Sequence, residues 1–156
     1  MQSHPNVTAV QDALESSGAH GEVRLLPDAV HTAAAAAEAL GVTVGQIANS
    51  LVFDADGDPL LVLTSGAHRV DTAKVAGLIG VGSVRRATPE FVRAHTGQVI
   101  GGVAPVGHPA PVRTLVDRAL AGFDEVWAAG GIAHSVFPTT FDELVHVTGG
   151  EPADVA

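Results

Sequence analysis

The chain of 156 residues has no cysteine. That absence excludes a disulfide scaffold, thiolate metal sites and a cysteine nucleophile. Charge is also sparse, at 16% of residues against 46% hydrophobic, a balance too apolar for a disordered tail. No apolar run approaches the roughly 20 residues that span a bilayer, so no membrane association is expected. The N-terminal stretch MQSHPNVTAVQDALESSG has no basic segment followed by an apolar run. No signal peptide is therefore expected, and the expected location is the cytoplasm. Lysine is nearly absent: Lys74 stands alone beside seven arginines, against 17 acidic residues, for a net charge of −9. Broad nucleic-acid binding replaces phosphate counterions with Lys and Arg, so an extended basic surface is not expected. Arg69, Arg85, Arg86 and Arg93 form a local basic face or, more plainly, stand as scattered solvated positions.

The length suits one domain, residues 1–156, with a single core. Helices are expected from Asn6 to Ser17, over HTAAAAAEALG with Thr32 as cap and Gly41 as stop, and from Asp71 to Ile79. Two more are expected from Thr88-Pro89-Glu90 to Gly97 and from Thr140 to Gly149, the last with Glu143 completing a capping box. Strands are expected at Val23–Leu26, Ser83–Arg86, Val112–Val116, Glu125–Ala128 and Val136–Phe137. Ser50–Phe53 and Leu60–Thr64, separated by the turn Asp54-Ala55-Asp56-Gly57, predict a hairpin. An antiparallel hairpin inside a series of strands and helices predicts a mixed α/β (α+β) fold, a mixed sheet with helices packed on it. The last residues, 150–156, are expected to fray.

The phosphate loop, the H-E-x-x-H helix, the G-x-S-x-G elbow and the dinucleotide glycine fingerprint are all missing. The eight histidines lack helical metal-ligand spacing, so no metal site is expected. Three segments remain as candidates. In GGVAPVGHP, Gly101 and Gly102 free the backbone for positive φ and close approach, and Pro105 stiffens the exit. Exposed amides there suit a carbonyl, carboxylate or phosphate oxygen; a tight strand-to-loop connection explains the glycines equally. Gly130-Gly131 has the same two readings. In QIANSLVF, alternation puts Asn49 on the face of Leu51 and Phe53, as a cleft group or as a start-of-strand Asn bonding nearby backbone.

Five ordered segments, HTAAAAAEALGV, VGQIANSLVF, LVLTSGAHRVDTAKVAGLIG, VRRATPEFVRAHTGQVIGGVAPVGH and EVWAAGGIAHSVFPTTFDELVHVTG, give the chain a resemblance to a known family. From about Val7 to Gly149 it resembles the YbaK/ProX family of freestanding aminoacyl-tRNA editing domains, in its ProX-like branch, related to the editing insert of bacterial prolyl-tRNA synthetases. The resemblance implies a mixed, largely antiparallel, barrel-like β-sheet with helices around it, and no metal or other cofactor. It implies hydrolysis of the ester between a wrong amino acid and the 3′ end of a tRNA, such as tRNA(Pro) carrying Cys or Ala. It also implies a cleft bounded by Gly101–Pro105 and the start of the QIANSLVF strand (Asn49, Ser50), with Gly130, Gly131, His31 and Thr32 close by. The family pattern Q-[IV]-x-K-[ST]-L has lysine where this chain has Asn49, which hydrogen-bonds without charge. Lys74 matches an ordinary helical position and does not inherit that role. Amides at Gly102, Val103 and Ala104 are then candidate oxyanion donors, with water or a substrate group as nucleophile. A catalytically weak or inactive protein that binds aminoacyl-tRNA or an aminoacyl-adenylate-like ligand is the alternative. The −9 charge points to a partner, such as prolyl-tRNA synthetase, to supply the electrostatics of tRNA binding.

Overall fold

A computed structural model describes residues 4–30 and 32–156. The described residues form strands β1 (Arg24–Leu25), β2 (Ile47–Ala55), β3 (Asp58–Ser65), β4 (Val84–Arg86), β5 (Arg113–Asp117), β6 (Val126–Ala129), β7 (Ser135–Thr139) and β8 (Glu151–Ala153). The helices are α1 (Pro5–Ser16), α2 (Ala33–Leu40), α3 (Thr72–Ile79), α4 (Pro89–Thr96) and α5 (Phe141–Thr148).

The strands make one mixed sheet in the order β1-β7-β6-β2-β3-β5-β8, with β4 also paired to β2. The β2–β3 hairpin is antiparallel along its whole length, from Ala48↔Ser65 to Ala55↔Asp58. Its turn is built by Asp54, whose carboxylate accepts from Gly57 N at 2.7 Å, and by Asp56 at φ 51°. The other side of β2 is divided. Its first residues pair in parallel with β6, through Ile47↔Trp127 and Ala48↔Ala128. Its last three pair with β4, from Phe53↔Arg86 to Ala55↔Val84.

Both faces of β3 are buried, which accounts for its continuous apolar run. Ala48, Val52, Leu61 and Leu63 face one cluster with Val10 and Leu14 of α1, Val92 of α4 and Leu144 of α5. Leu51, Phe53, Leu60 and Val62 face a second with Val75 and Ala76 of α3. A third small cluster joins Ala36 and Ala37 of α2 to Ile47, Trp127 and Val136.

The caps follow the sequence at α2, α3, α4 and α5. Thr32, Asp71, Thr88 and Thr140 each accept the amide three residues on. Gly41, Gly97 and Gly149 close α2, α4 and α5 in the left-handed region. Three expectations are corrected. Helix α1 starts one residue early, capped by His4 with Pro5 in its first turn; Asn6 instead donates to Gly131 O at 3.3 Å. Glu143 does not complete the capping box, because its carboxylate accepts from Thr139 Oγ1 at 2.8 Å and His20 N at 3.2 Å. The last residues do not fray: β8 pairs in parallel with β5, Val155 is fully buried in the second cluster, and Asp71 N donates to Val155 O at 2.8 Å. The terminal segment covers a sheet edge, which a pattern of short polar and small residues does not announce.

Val155→Ala is accordingly expected to cost about 2 kcal/mol of stability. Urea unfolding checks this: a frayed terminus would leave the midpoint unchanged.

Candidate active-site cleft

The divided edge of β2 opens a cavity of about 580 Å³. Its walls come from β2 residues 47–53, the end of β4 at Arg86 and Ala87, and β6 at Trp127–Ala129. The start of α2 (Thr32, Ala33), the segment Arg69–Val70, and Ile100, Gly101 and Val103 also contribute to it. Asn49 falls on the β2 face between the patch covered by α2 and that covered by α3, so no helix seals it. It is partly exposed and lines the cavity. Its cross-strand neighbour is Thr64. Ser50 and Thr32 also line the cavity, and Thr32 Oγ1 is engaged by Ala35 N at 3.0 Å.

The glycine loop is shaped from below by Gln98, which is 1% exposed. Its Oε1 accepts from Ala104 N at 2.7 Å and its Nε2 donates to Val106 O at 3.3 Å. Its own amide donates to Thr96 Oγ1 at 3.0 Å. His108 Nε2 donates to Ala104 O at 2.8 Å, closing the staple from the far side. Gly101 adopts φ 95°. A Cβ at Gly102 would sit 2.6 Å from Ile132 C and 2.8 Å from Ala133 N, so only glycine lets the loop lie against that backbone.

This geometry corrects the candidate list. Gly102 N donates to Val99 O at 3.1 Å and Ala104 N to Gln98, so neither amide is a free oxyanion donor. Gly102, Ala104 and Pro105 lie behind the cavity wall, whereas Gly101 and Val103 line it. Among the described residues, the amides of Gly101 and Val103 have no acceptor. Gly130 and Gly131 are a packing turn outside the lining: Gly130 abuts Val23 and Ser135, and Gly131 abuts Asn6. His31 lies outside the described residues. Lys74 is not among the lining residues, and its Nζ donates to Ala156 O at 3.0 Å.

The charge distribution is local. The charged side chains among the described lining residues are Arg69 and Arg86; no carboxylate or imidazole joins them. Of the other two arginines in the expected basic face, Arg85 lies 3.9 Å from Asp54 and Arg93 flanks a separate shallow groove with Val99 and Ile100. Among the described residues no three His, Asp or Glu side chains converge as a metal site.

Residues 27–147 match the model of the aminoacyl-tRNA editing domain. The chain belongs to this family. Among solved structures, a candidate trans-editing enzyme for prolyl tRNA synthetase superposes with TM-score 0.92 and 46% identity, covering 99% of this chain and 98% of that one. The uncharacterised protein YwhH of Bacillus subtilis is 34% identical over 110 residues, 70% of this chain and 69% of that one. The proline–tRNA ligase of Nitratidesulfovibrio vulgaris is 36% identical over 100 residues, 64% of this chain but only 17% of the ligase. The editing domain thus spans a small fraction of the ligases it matches.

Two residues that shape this editing domain's cleft escape sequence reasoning. Gln98 follows the helix stop Gly97 and looks like an ordinary loop polar residue; only its complete burial reveals the staple. Trp127 lines the cavity from β6 and carries Arg24 over its ring at 5.1 Å. Its position in a short apolar strand gave the one available signal.

Two measurements test the staple. Gln98→Met keeps the bulk but orphans the buried Ala104 amide and Val106 carbonyl, and should cost about 2 kcal/mol in urea unfolding. Burial pushes the His108 pKa below its ordinary 6.5, with the Ala104 carbonyl opposing in part. The folded protein therefore holds His108 neutral where the unfolded chain takes up a proton. Stability from this group is present above pH 6.5 and is lost as pH falls from there to the lowered native value. His108→Gln, which can still donate to Ala104 O, should flatten that part of the stability–pH curve.

Proposed function

We propose that this editing domain hydrolyses the ester that joins a wrong amino acid to the 3′ end of a tRNA, acting on tRNA(Pro) charged with cysteine or alanine. The observation that carries the proposal is the cavity's charge: among the described residues two arginines and no acid line it, within a chain of net charge −9. Arg69 and Arg86 suit the phosphodiester of a nucleotide end, which an acid-lined cleft would repel. The absence of a side-chain base from the described lining suits an already activated ester, for which positioning and oxyanion stabilisation suffice.

In this mechanism a water adds to the ester carbonyl and the carbonyl oxygen becomes an oxyanion. The carbon–oxygen bond to the ribose then breaks, releasing the amino acid and a tRNA with a free hydroxyl. The water's proton passes to the departing ribose oxygen, directly or through a substrate group. The donors available to the oxyanion are the amides of Gly101 and Val103, each able to contribute about 3 kcal/mol if aimed at it. Asn49 donates through Nδ2 to the terminal phosphate, a ribose hydroxyl or the aminoacyl carbonyl. The likeness to a candidate trans-editing enzyme for prolyl tRNA synthetase supports tRNA(Pro) as the substrate. It also supports action in the cytoplasm beside prolyl-tRNA synthetase, whose surface would supply the tRNA contacts that the acidic chain lacks.

A second reading, binding of aminoacyl-tRNA or an aminoacyl-adenylate-like ligand without hydrolysis, is favoured by Asn49, which puts no positive charge where the family pattern has lysine.

The experiment is deacylation of Cys-, Ala- and Pro-charged tRNA(Pro). Cys or Ala should be released faster than Pro, and Asn49→Ala should lower kcat/KM about tenfold. Rates equal to the buffer blank on all three substrates overturn hydrolysis. Activity that emerges only in Asn49→Lys establishes the binding-only reading.

A further inference from the structure

Strand β2 leaves main-chain groups unpaired inside the cavity, and their direction follows from the ladder. Ile47 O accepts from Gly66 N at 2.8 Å, at the β3 end of the hairpin. Residue 47 therefore turns its main chain toward β3, and pleat alternation gives residues 49, 51 and 53 the same direction. Residues 48, 50, 52 and 54 turn theirs to the divided side. There Ala48 meets Ala128 of β6 and Asp54 meets Arg85 of β4. Between them the main chain of Ser50 and the N–H of Val52 have no strand partner, while the Val52 carbonyl closes the β4 ladder opposite Ala87; among the described residues no loop or side chain bonds the Ser50 groups or the Val52 N–H. Both residues line the cavity.

Two buried side-chain atoms also lack a partner among the described residues, Ser50 Oγ and Trp127 Nε1. Both belong to cavity-lining residues. Buried polar groups are normally paired, so these two atoms leave bonding unsatisfied within the wall behind the open edge.

We infer that this open stretch of β2 reads the terminal nucleobase: the outward N–H and C=O of Ser50 and the outward N–H of Val52 pair with the edge of the adenine that ends the tRNA. The inference rests on the proposed substrate and assigns its base a site. The gap, residues 49–52, is about 13 Å long and closed by β4 and β6 at its two ends, too short to add a strand. A flat ring fits it. Adenine places ring-nitrogen acceptors beside an amino donor, which complements N–H and C=O groups on one strand edge. Cysteine and alanine side chains have nothing comparable to offer that edge. Trp127 supplies an apolar surface beside the ring.

The test is amide NMR of the wild-type protein titrated with a cytidylyl-cytidylyl-adenosine trinucleotide. The Ser50 and Val52 amides should shift downfield and saturate, while those of Asn49 and Leu51, held by β3, move less. A trinucleotide ending in purine riboside, without the amino group, should bind about fivefold more weakly. Val52→Pro deletes one outward N–H and spares the β3 ladder, and should weaken binding to a similar degree. If that variant misfolds, the purine-ended trinucleotide still decides. Unmoved Ser50 and Val52 amides, no saturable binding, or equal affinity for the two trinucleotides overturns the inference. Deacylation run in parallel separates the two claims. Turnover without these shifts leaves hydrolysis standing and removes the base site; shifts without turnover do the reverse.

Discussion

One edge of a strand cannot pair with two neighbours at the same place, and the cleft of this protein depends on that constraint. The inner edge of β2 is committed to β3 over eight residue pairs. Its outer edge is shared between β6 and β4, which meet it at opposite ends. The stretch between them cannot be covered by either. Residues of both faces of β2, Asn49 and Leu51 on one and Ser50 and Val52 on the other, consequently line one cavity. A fully paired strand would have separated those faces. The unbroken ladder to β3 and the buried apolar run Leu60–Leu63 make the open edge tolerable, since β2 is anchored without it.

The loop that closes the cavity is held by a different device. Its backbone cannot join the sheet, so its polar groups are satisfied by side chains from below. Gln98 uses both ends of its amide, Thr96 bonds the Gln98 main chain, and His108 holds the Ala104 carbonyl. Which amides are consumed decides which remain for chemistry. The staple takes Ala104 and the local turn takes Gly102, leaving Gly101 and Val103. Gly102 presses on the backbone of Ile132 and Ala133, and Asn6 of α1 bonds Gly131 one residue earlier. The loop wall is thus braced through the 130–133 turn to the first helix.

The elements were legible because they rest on local rules. Threonine and aspartate caps, left-handed glycine stops and the DADG turn each act within a few residues. Strand alternation put Asn49 on the face of Leu51 and Phe53 but left open whether it lines a cleft or bonds nearby backbone. Long-range facts were not legible. Nothing in QIANSLVF says that β6 and β4 leave a gap, because that depends on where two distant strands end. Nothing in GGVAPVGHP separates the free amides from the bonded ones, because the partner that decides, Gln98, lies outside the loop. The chain end illustrates the same limit: EPADVA is locally unremarkable as structure, yet Val155 fills a hole prepared by α3 and the hairpin.

Net charge and local charge lead to opposite conclusions here, and distance decides between them. Exposed charges lose influence beyond about 8 Å at physiological ionic strength. Under the proposed function the overall −9 would govern how a tRNA body approaches, whereas Arg69 and Arg86 would govern what the cavity accepts. A polyanion would meet repulsion over most of the surface and a favourable site only at its end. Recognition built this way draws little affinity from the body of the nucleic acid and most of its discrimination from the fit of the terminal residue. Under that division of labour an uncharged Asn49 is coherent. The two arginines already supply the cavity's positive charge, and a neutral amide beside the open edge of β2 adds direction without further non-specific attraction.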